Sequence, residues 1–414
     1  MTVDRCHCLA LGAALAGFGA AAAIAAAGPA WADPSAAGSA DSAHNAVTTS
    51  ATTAAKPLRW TSRASAARRP ATATAQPSLT VTRSGQSPLT LSSGRTGAAE
   101  LSGITYAGDT TYYAVGDNGS GSIWQLYTSS DARDGRIRSA LVTSAVSAPA
   151  LGSDSEGIAL NADRTGVWVA DEVTSSISEF SLATGQKVGS LAVPAIYRPQ
   201  NVQDNRGLES LSFGAGKLWT ANEEALLPDG SLATTSAGSW VRLQSFAGPE
   251  LAPQHQYGYL TDPISAMSPF VAVERSGLVD LVALPGGEVL ALERELGGFL
   301  PLYRSRLYLL DFARASDVSG LPSLADGGFT PVAKTLLWQG YFAFINFEGI
   351  TLATDFGDSA LLVLVSDDGG GELGQRQVVS SLSLRGTGYG AGGTPQSSST
   401  RPMASCSACV THSL

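Results

Sequence analysis

A two-part phrase recurs five times between Ser102 and Asp368, and it constrains the fold more than any single residue does. Its first half is a polar or acidic residue opening a short apolar run. These runs are Ser102-Gly103-Ile104-Thr105-Tyr106, Glu156-Gly157-Ile158-Ala159-Leu160, Glu209-Ser210-Leu211-Ser212-Phe213, Asp280-Leu281-Val282-Ala283-Leu284 and Glu348-Gly349-Ile350-Thr351-Leu352. Its second half, one turn later, is an apolar run ending in acid: Asp117, Asp171-Glu172, Glu223-Glu224, Glu293 and Asp367-Asp368. Successive openings are 54, 53, 71 and 68 residues apart, a period of propeller blades or of a solenoid.

Each half is four to six residues long and rich in β-formers, too short for a helix and right for a strand. The linkers are turn chemistry, among them Ala107-Gly108-Asp109, Gly214-Ala215-Gly216 and Pro285-Gly286-Gly287. Glycine supplies positive φ and Asn or Asp caps its own turn, so each phrase reads as an antiparallel hairpin. In a hairpin the start of one strand lies beside the end of the other. Glu156 is therefore expected near Glu172, Glu209 near Glu223, Asp280 near Glu293, and Glu348 near Asp367, all at one end of their sheets.

Within the first strands large side chains (Ile158, Leu160; Leu211, Phe213; Ile350, Leu352) alternate with small ones (Gly157, Ala159; Ser210, Ser212; Gly349, Thr351). One large face and one small face suit sheets stacked around an axis. A β-solenoid or a leucine-rich array would need a shorter period. The expectation is an all-β propeller of five or six blades, closed by pairing a segment near Ser78–Leu91 with Val378–Leu384. The two longer intervals leave room for extra strands.

The 414 residues are 44% hydrophobic, ample for one large core, and carry a net charge of −9. An acidic chain without a basic stripe repels phosphate backbones, which argues against nucleic acid as a partner. Residues 1–32 read as a secretory signal: Leu9 to Ala27 is apolar and runs into Gly28-Pro29-Ala30-Trp31-Ala32, a small-x-small cleavage pattern. An uncleaved anchor is the other reading, since about 20 apolar residues can span a bilayer. Residues 33–77 are an Ala/Ser/Thr-rich linker and 386–414 a Gly/Ser-rich tail, both expected to be disordered on either side of a 78–385 propeller domain. Cys6 and Cys8 fall in the signal, Cys406 and Cys409 in the tail, so no disulfide staples the domain. A secreted or extracytoplasmic monomer is expected, with no membrane span once the signal is removed.

Several chemistries are excluded. Between residues 78 and 385 the one histidine is His255, too few for a zinc hydrolase or a phosphohistidine mechanism. There is no Gly-x-Ser-x-Gly elbow, phosphate loop or dinucleotide fingerprint. What remains is a ring of carboxylates, which repel unless a cation sits among them or they take up protons. Hard oxygen ligands favour a divalent ion such as Ca²⁺, with Asp117, Glu172, Glu223, Glu293 and Asp367 as candidate ligands. The competing reading is that nearby arginines neutralise the acids directly. Arg206, Arg294 and Arg304 are candidates for gripping a phosphate or carboxylate of a substrate. Glu156, Glu209 and Glu348 are candidate catalytic bases acting on a metal-bound water. Trp168 and Trp219 read as blade-to-blade packing.

Ser155-Glu156-Gly157-Ile158-Ala159, Asn205-Arg206-Gly207-Leu208-Glu209-Ser210-Leu211, Leu292-Glu293-Arg294, Asn346-Phe347-Glu348-Gly349-Ile350 and Val365-Ser366-Asp367-Asp368 resemble, in order and spacing, the phytase-like domain family described as having esterase-like activity of phytase. The resemblance runs from about Ala98 to Leu384. It implies a secreted or periplasmic propeller hydrolase acting on a small-molecule ester or phosphoester. A gluconolactonase-type lactonase and a non-catalytic binding propeller at the cell surface are the alternatives.

Overall fold

The structure, a computed structural model, describes residues 79–386 apart from 84–86, 95, 132, 204, 266–274, 298–301 and 357. The expected signal, the 33–77 linker and the tail from 387 onward lie outside the described residues. Among the described residues no helix is long and apolar enough to cross a membrane.

Five antiparallel sheets form five blades. The first comprises β3 (Leu101–Gly108), β4 (Thr111–Gly116), β5 (Ser122–Ser130) and β6 (Ile137–Ser147). The second comprises β7 (Ser155–Leu160), β8 (Gly166–Asp171), β9 (Ser176–Ser181) and β10 (Lys187–Ser190). The third comprises β11 (Ser212–Gly214), β12 (Lys217–Ala221), β13 (Trp240–Ala247) and β14 (Ala252–Leu260). The fourth comprises β15 (Arg275–Ala283), β16 (Val289–Gly297), β17 (Leu302–Asp311) and β18 (Ala333–Ala343). The last is β19 (Asn346–Phe356), β20 (Ser359–Asp367) and β21 (Val378–Arg385), completed by β1 (Thr80–Arg83) and β2 (Leu89–Thr90).

Every phrase is the inner hairpin of a blade, and the long intervals hold outer strands and loops rather than a sixth blade. The ring closes as the sequence suggested: Thr80 opposes Arg385, Val81 opposes Leu384, and Leu89 opposes Val379. Leu79 and Val81 enter the core between the fourth and fifth blades, so closure also buries apolar surface.

The alternation of large and small residues explains the stacking. Ile104 packs with Val363 of the fifth blade, Ile158 with Ile123 of the first, Leu211 with Ala170 of the second, Leu281 with Val241 of the third, and Ile350 with Leu290 of the fourth. Each large face thus meets the preceding blade. The small face meets the following one: a Cβ on Gly157 would lie 2.5 Å from the Leu211 amide nitrogen, and one on Gly349 2.5 Å from the Ser102 carbonyl oxygen. Hydroxyls stitch the same seam, with Thr105 accepting the Leu160 N–H (3.1 Å), Ser212 the Ala283 N–H (2.8 Å) and Thr351 the Tyr106 N–H (3.2 Å). Trp219 sits in the core between the third and fourth blades.

Candidate active site at the acidic mouth

The carboxylates reach the axis through a repeated irregularity. In β3 the ladder slips between Leu101 and Gly103, in β7 between Ser155 and Ile158, and in β19 between Phe347 and Gly349. Each slip leaves the residue that opens the phrase (Ser102, Glu156, Glu348) out of the ladder, as a β-bulge does when it re-aims a side chain. In the third blade the pairing continues past β11, with the Glu209 N–H on Ala221 O and the Glu223 N–H on Gly207 O, both 2.9 Å. Glu209 therefore lies beside Glu223.

Together these residues line a well of about 210 Å³ bounded by Asp117, Glu156, Glu172, Glu209, Glu223, Glu348 and Asp367, with Arg275, Arg294, Asn205, Tyr303, Asn346 and Gln375. The well has two unlike halves. On one side Arg294 Nη2 lies 3.0 Å from Glu223 Oε1 and 3.1 Å from Glu348 Oε1, and Arg275 Nη2 lies 2.7 Å from Glu223 Oε2. Asn346 Nδ2 donates to Glu348 (2.7 Å) and Asp367 (3.2 Å), and Tyr303 donates to Gln375 (2.8 Å). On the other side Asp117, Asp154, Glu156, Glu172 and Glu209 form no ion pair with a basic side chain among the described residues. Glu172 accepts the Gly207 N–H. Glu156 and Glu209 are 6% and 7% exposed and have neither a hydrogen-bond donor nor an ion-pair partner among the described residues.

The charge states follow from that division. Burial, then Glu209, Glu348, Glu172 and Asp154, push the Glu156 carboxyl well above its usual range. Burial and Glu223 do the same to Glu209, with Arg294 pulling the other way. Burial raises Glu172 to about 9, Glu348 to about 8 and Asp117 to about 7, each helped by neighbouring acids. For Arg294 burial favours loss of the proton, but Glu223, Glu348 and Glu209 outweigh it and hold the guanidinium charged.

The donor set suits a hard divalent cation. Ligand oxygens of Glu156, Glu172 and Glu209 all lie within 4.8 Å of one another, as do those of Asp117, Asp154 and Glu156. Oxygens on opposite sides of a calcium ion are about 4.6–5.2 Å apart, so a single ion can reach such a set.

Most residues singled out from sequence converge here, but three do not. Glu293 faces away, accepting from Tyr259 (2.6 Å), Lys334 (2.6 Å), Arg306 (3.2 Å) and the Asp262 N–H (3.2 Å). Arg304 lies in the same outer network, donating to Ser265 and Gln339 at 2.6 Å each and covering the Tyr341 ring. Arg206 stands behind the rim, 2.8 Å from Glu224, and does not line the well. The expected pairing of Asp280 with Glu293 is off by one residue. The ladder slips between Leu278 and Asp280, so Val279 occupies the place of Glu156 or Glu348, and Asp280 the place of the glycine. There its buried carboxylate accepts the Ile350 N–H (2.7 Å) and Leu281 N–H (2.8 Å), a lock between neighbouring inner strands. It is Arg294, not Glu293, that β16 sends into the well.

Sequence reasoning passed over Asp154, Asn346, Tyr303 and Gln375 as site residues. Asp154 and Asn346 stand two positions before Glu156 and Glu348, a spacing that puts side chains on one side of an extended chain. Tyr303 and Gln375 come from β17 and the loop before β21, where no local pattern marks them. At the opposite mouth of the channel a cavity of about 410 Å³ is lined by apolar residues such as Ile104, Ile158, Leu211 and Ile350, and no acid lines it.

A five-bladed propeller whose inner strands crowd carboxylates at one mouth is the class that this fold and site define. The chain belongs to the Phytase-like family, described as "Esterase-like activity of phytase", which matches residues 96–370. No curated protein matches the sequence. Among solved structures it is similar to Myxococcus xanthus glutaminyl cyclase, at 10% identity over 74% of this chain and 97% of that one, with a TM-score of 0.33. It is also similar to the Pseudomonas aeruginosa periplasmic gluconolactonase, at 14% identity over 69% and 87%, TM-score 0.29. Hydrazine synthase of Kuenenia stuttgartiensis gives 12% identity and a TM-score of 0.31 over 66% of this chain, which spans 58% of that one. Likenesses this distant carry nothing about function.

Proposed function

We propose that this chain is a divalent-cation-dependent hydrolase acting on a small-molecule ester or phosphoester held in the acidic well. The observation that carries the reading is the pair Glu156 and Glu209, buried carboxylates with no hydrogen-bond donor or ion-pair partner among the described residues, beside a half-well where arginines pair with Glu223 and Glu348. A buried carboxylate is costly unless paired or metal-bound. Family membership supports a hydrolase.

Glu156, Glu172 and Glu209 would hold the ion, which would supply charge neutralisation and lower the pKa of a bound water. The arginine half receives the substrate. Arg294 holds Glu223 and Glu348 through Nη2, and Arg275 holds Glu223 through Nη2 with its Nε 3.7 Å from Glu224, so a phosphate or carboxylate oxygen entering the well meets two guanidinium groups. Glu348, raised to about 8, carries a proton near neutral pH and can pass it to a leaving oxygen. The roles expected from sequence are thereby exchanged in part: Glu156 and Glu209 serve as ligands, and Glu223 pairs with the arginines.

The test is release of phosphate or p-nitrophenol, and opening of a lactone, with calcium and with chelator. Calcium-dependent turnover lost at least 100-fold in Glu209→Gln supports the proposal. Turnover equal in both buffers and unchanged in Glu209→Gln overturns it, and no turnover on any substrate favours a binding propeller. The reaction belongs outside the cytoplasm in this reading, supported by the Leu9–Ala27 apolar stretch and the small-x-small pattern that follows it. A mature protein beginning at Asp33 in the culture medium would bear that out, and a chain retained whole in the cytoplasm would contradict it.

A further inference from the structure

We infer that the well is a two-cation site with Glu156 as the shared bridge. One cation would lie among Asp117, Asp154 and Glu156, the other among Glu156, Glu172 and Glu209. This deepens the proposed function and rests on its reading of the well as a cation site.

The two sets are separate clusters with Glu156 in common, and within each the ligand oxygens lie within 4.8 Å of one another. They straddle two different seams. Asp117 follows β4 of the first blade, Asp154 and Glu156 open the second, Glu172 follows β8, and Glu209 opens the third. The bulge in β7 lifts Glu156 out of the ladder between the seams, where one carboxylate can face both. Its burial without a partner is the independent sign of a missing ligand, and Asp117 Oδ1 is likewise buried without one.

Charge gives the number. The two sets contain five carboxylates, and the ion pairs of the well go instead to Glu223, Glu224 and Glu348. One divalent ion among five carboxylates leaves three negative charges in a desolvated space. Two leave one, which an incoming water or substrate proton can share. Like charges that close cannot all remain ionised without a counter-ion, so the rival to a second cation is a set of bound protons.

Counting decides between them. The full chain, stripped with chelator and dialysed against Mn²⁺ as probe, is assayed by elemental analysis, with circular dichroism confirming the fold of every variant. The expected result is two tightly held ions per wild-type chain, one in Asp154→Asn, one in Glu209→Gln, and none in Glu156→Gln at the concentration that saturates wild type. One ion in the wild type overturns the pair and leaves the single-cation hydrolase standing. No bound ion overturns both. Two ions retained in Glu156→Gln overturn the bridge. Should a variant fail to fold, the wild-type count alone sustains or overturns the pair.

Discussion

Removing Arg294 should destabilise the propeller in a pH-dependent way. Its guanidinium is buried and touches two carboxylates, Glu223 at 3.0 Å and Glu348 at 3.1 Å. In Arg294→Met the first keeps Arg275 at 2.7 Å, but Glu348 keeps Asn346 alone as its donor. Breaking a buried pair while leaving the other charge in place costs about 3–5 kcal/mol. The sign with pH follows from Glu348, whose carboxyl is raised from an ordinary carboxyl value to about 8. Such a group holds its proton in the fold after the unfolded chain has lost it, so it lowers stability as pH climbs through that interval. Without Arg294 the ionised form is harder still to bear. The deficit should be small at pH 5.5, where Glu348 is protonated in both proteins, and approach its full size at pH 9. At about 2 °C per kcal/mol for a domain of this size, the melting point should fall by about 6–10 °C at pH 9. Thermal melts of the chelated proteins across that range provide the measurement. A variant within about 2 °C of wild type at pH 9, or a deficit that shrinks as pH rises, would refute the idea that Arg294 carries the charge balance.

Other perturbations probe the remaining links. Gly157→Ala would press a methyl against the main chain of the next blade at 2.5 Å, so a loss of about 3 kcal/mol or more in denaturant melts is expected, and a neutral result would contradict the seam geometry. Asp280→Asn would set an amide N–H₂ against one of the Ile350 and Leu281 N–H groups; about 2–4 kcal/mol should be lost, whereas no loss would mean the carboxyl is protonated in the fold. With Glu172 raised to about 9 and Asp117 to about 7, the chelated protein should melt progressively lower from pH 5 to pH 9. Calcium should raise the melting point more at pH 9 than at pH 5, because its binding must displace those protons. A calcium effect independent of pH would count against carboxylate ligation.

The fold was legible because the propeller writes its geometry into local alternation. Ile158 and Gly157 sit on opposite faces of one strand, and a ring of blades needs one of each at every seam. Closure was legible because Val378–Leu384 is a β-rich run after the last phrase, and a ring of blades needs its two ends to meet. Reading by phrase failed where the ladder slipped. Asp280 looked like Glu156 and Glu348 in sequence, but a one-residue shift places Val279 at their position, and a one-residue shift in a strand turns a side chain to the other face. The same shift exchanged Glu293 for Arg294. Arg304 could not be placed from sequence, because which face of β17 looks toward the axis is decided by its pairing with β16. Tyr303 and Gln375 reach the well through tertiary packing alone.

The central claim is that carboxylates from successive blades meet at one mouth to bind a divalent cation. Anomalous diffraction from crystals soaked in Mn²⁺ tests it most directly. The account predicts density among Glu156, Glu172 and Glu209, with all three carboxylates turned toward it. A well without anomalous signal at saturating Mn²⁺, with these side chains holding protons between them, would contradict it.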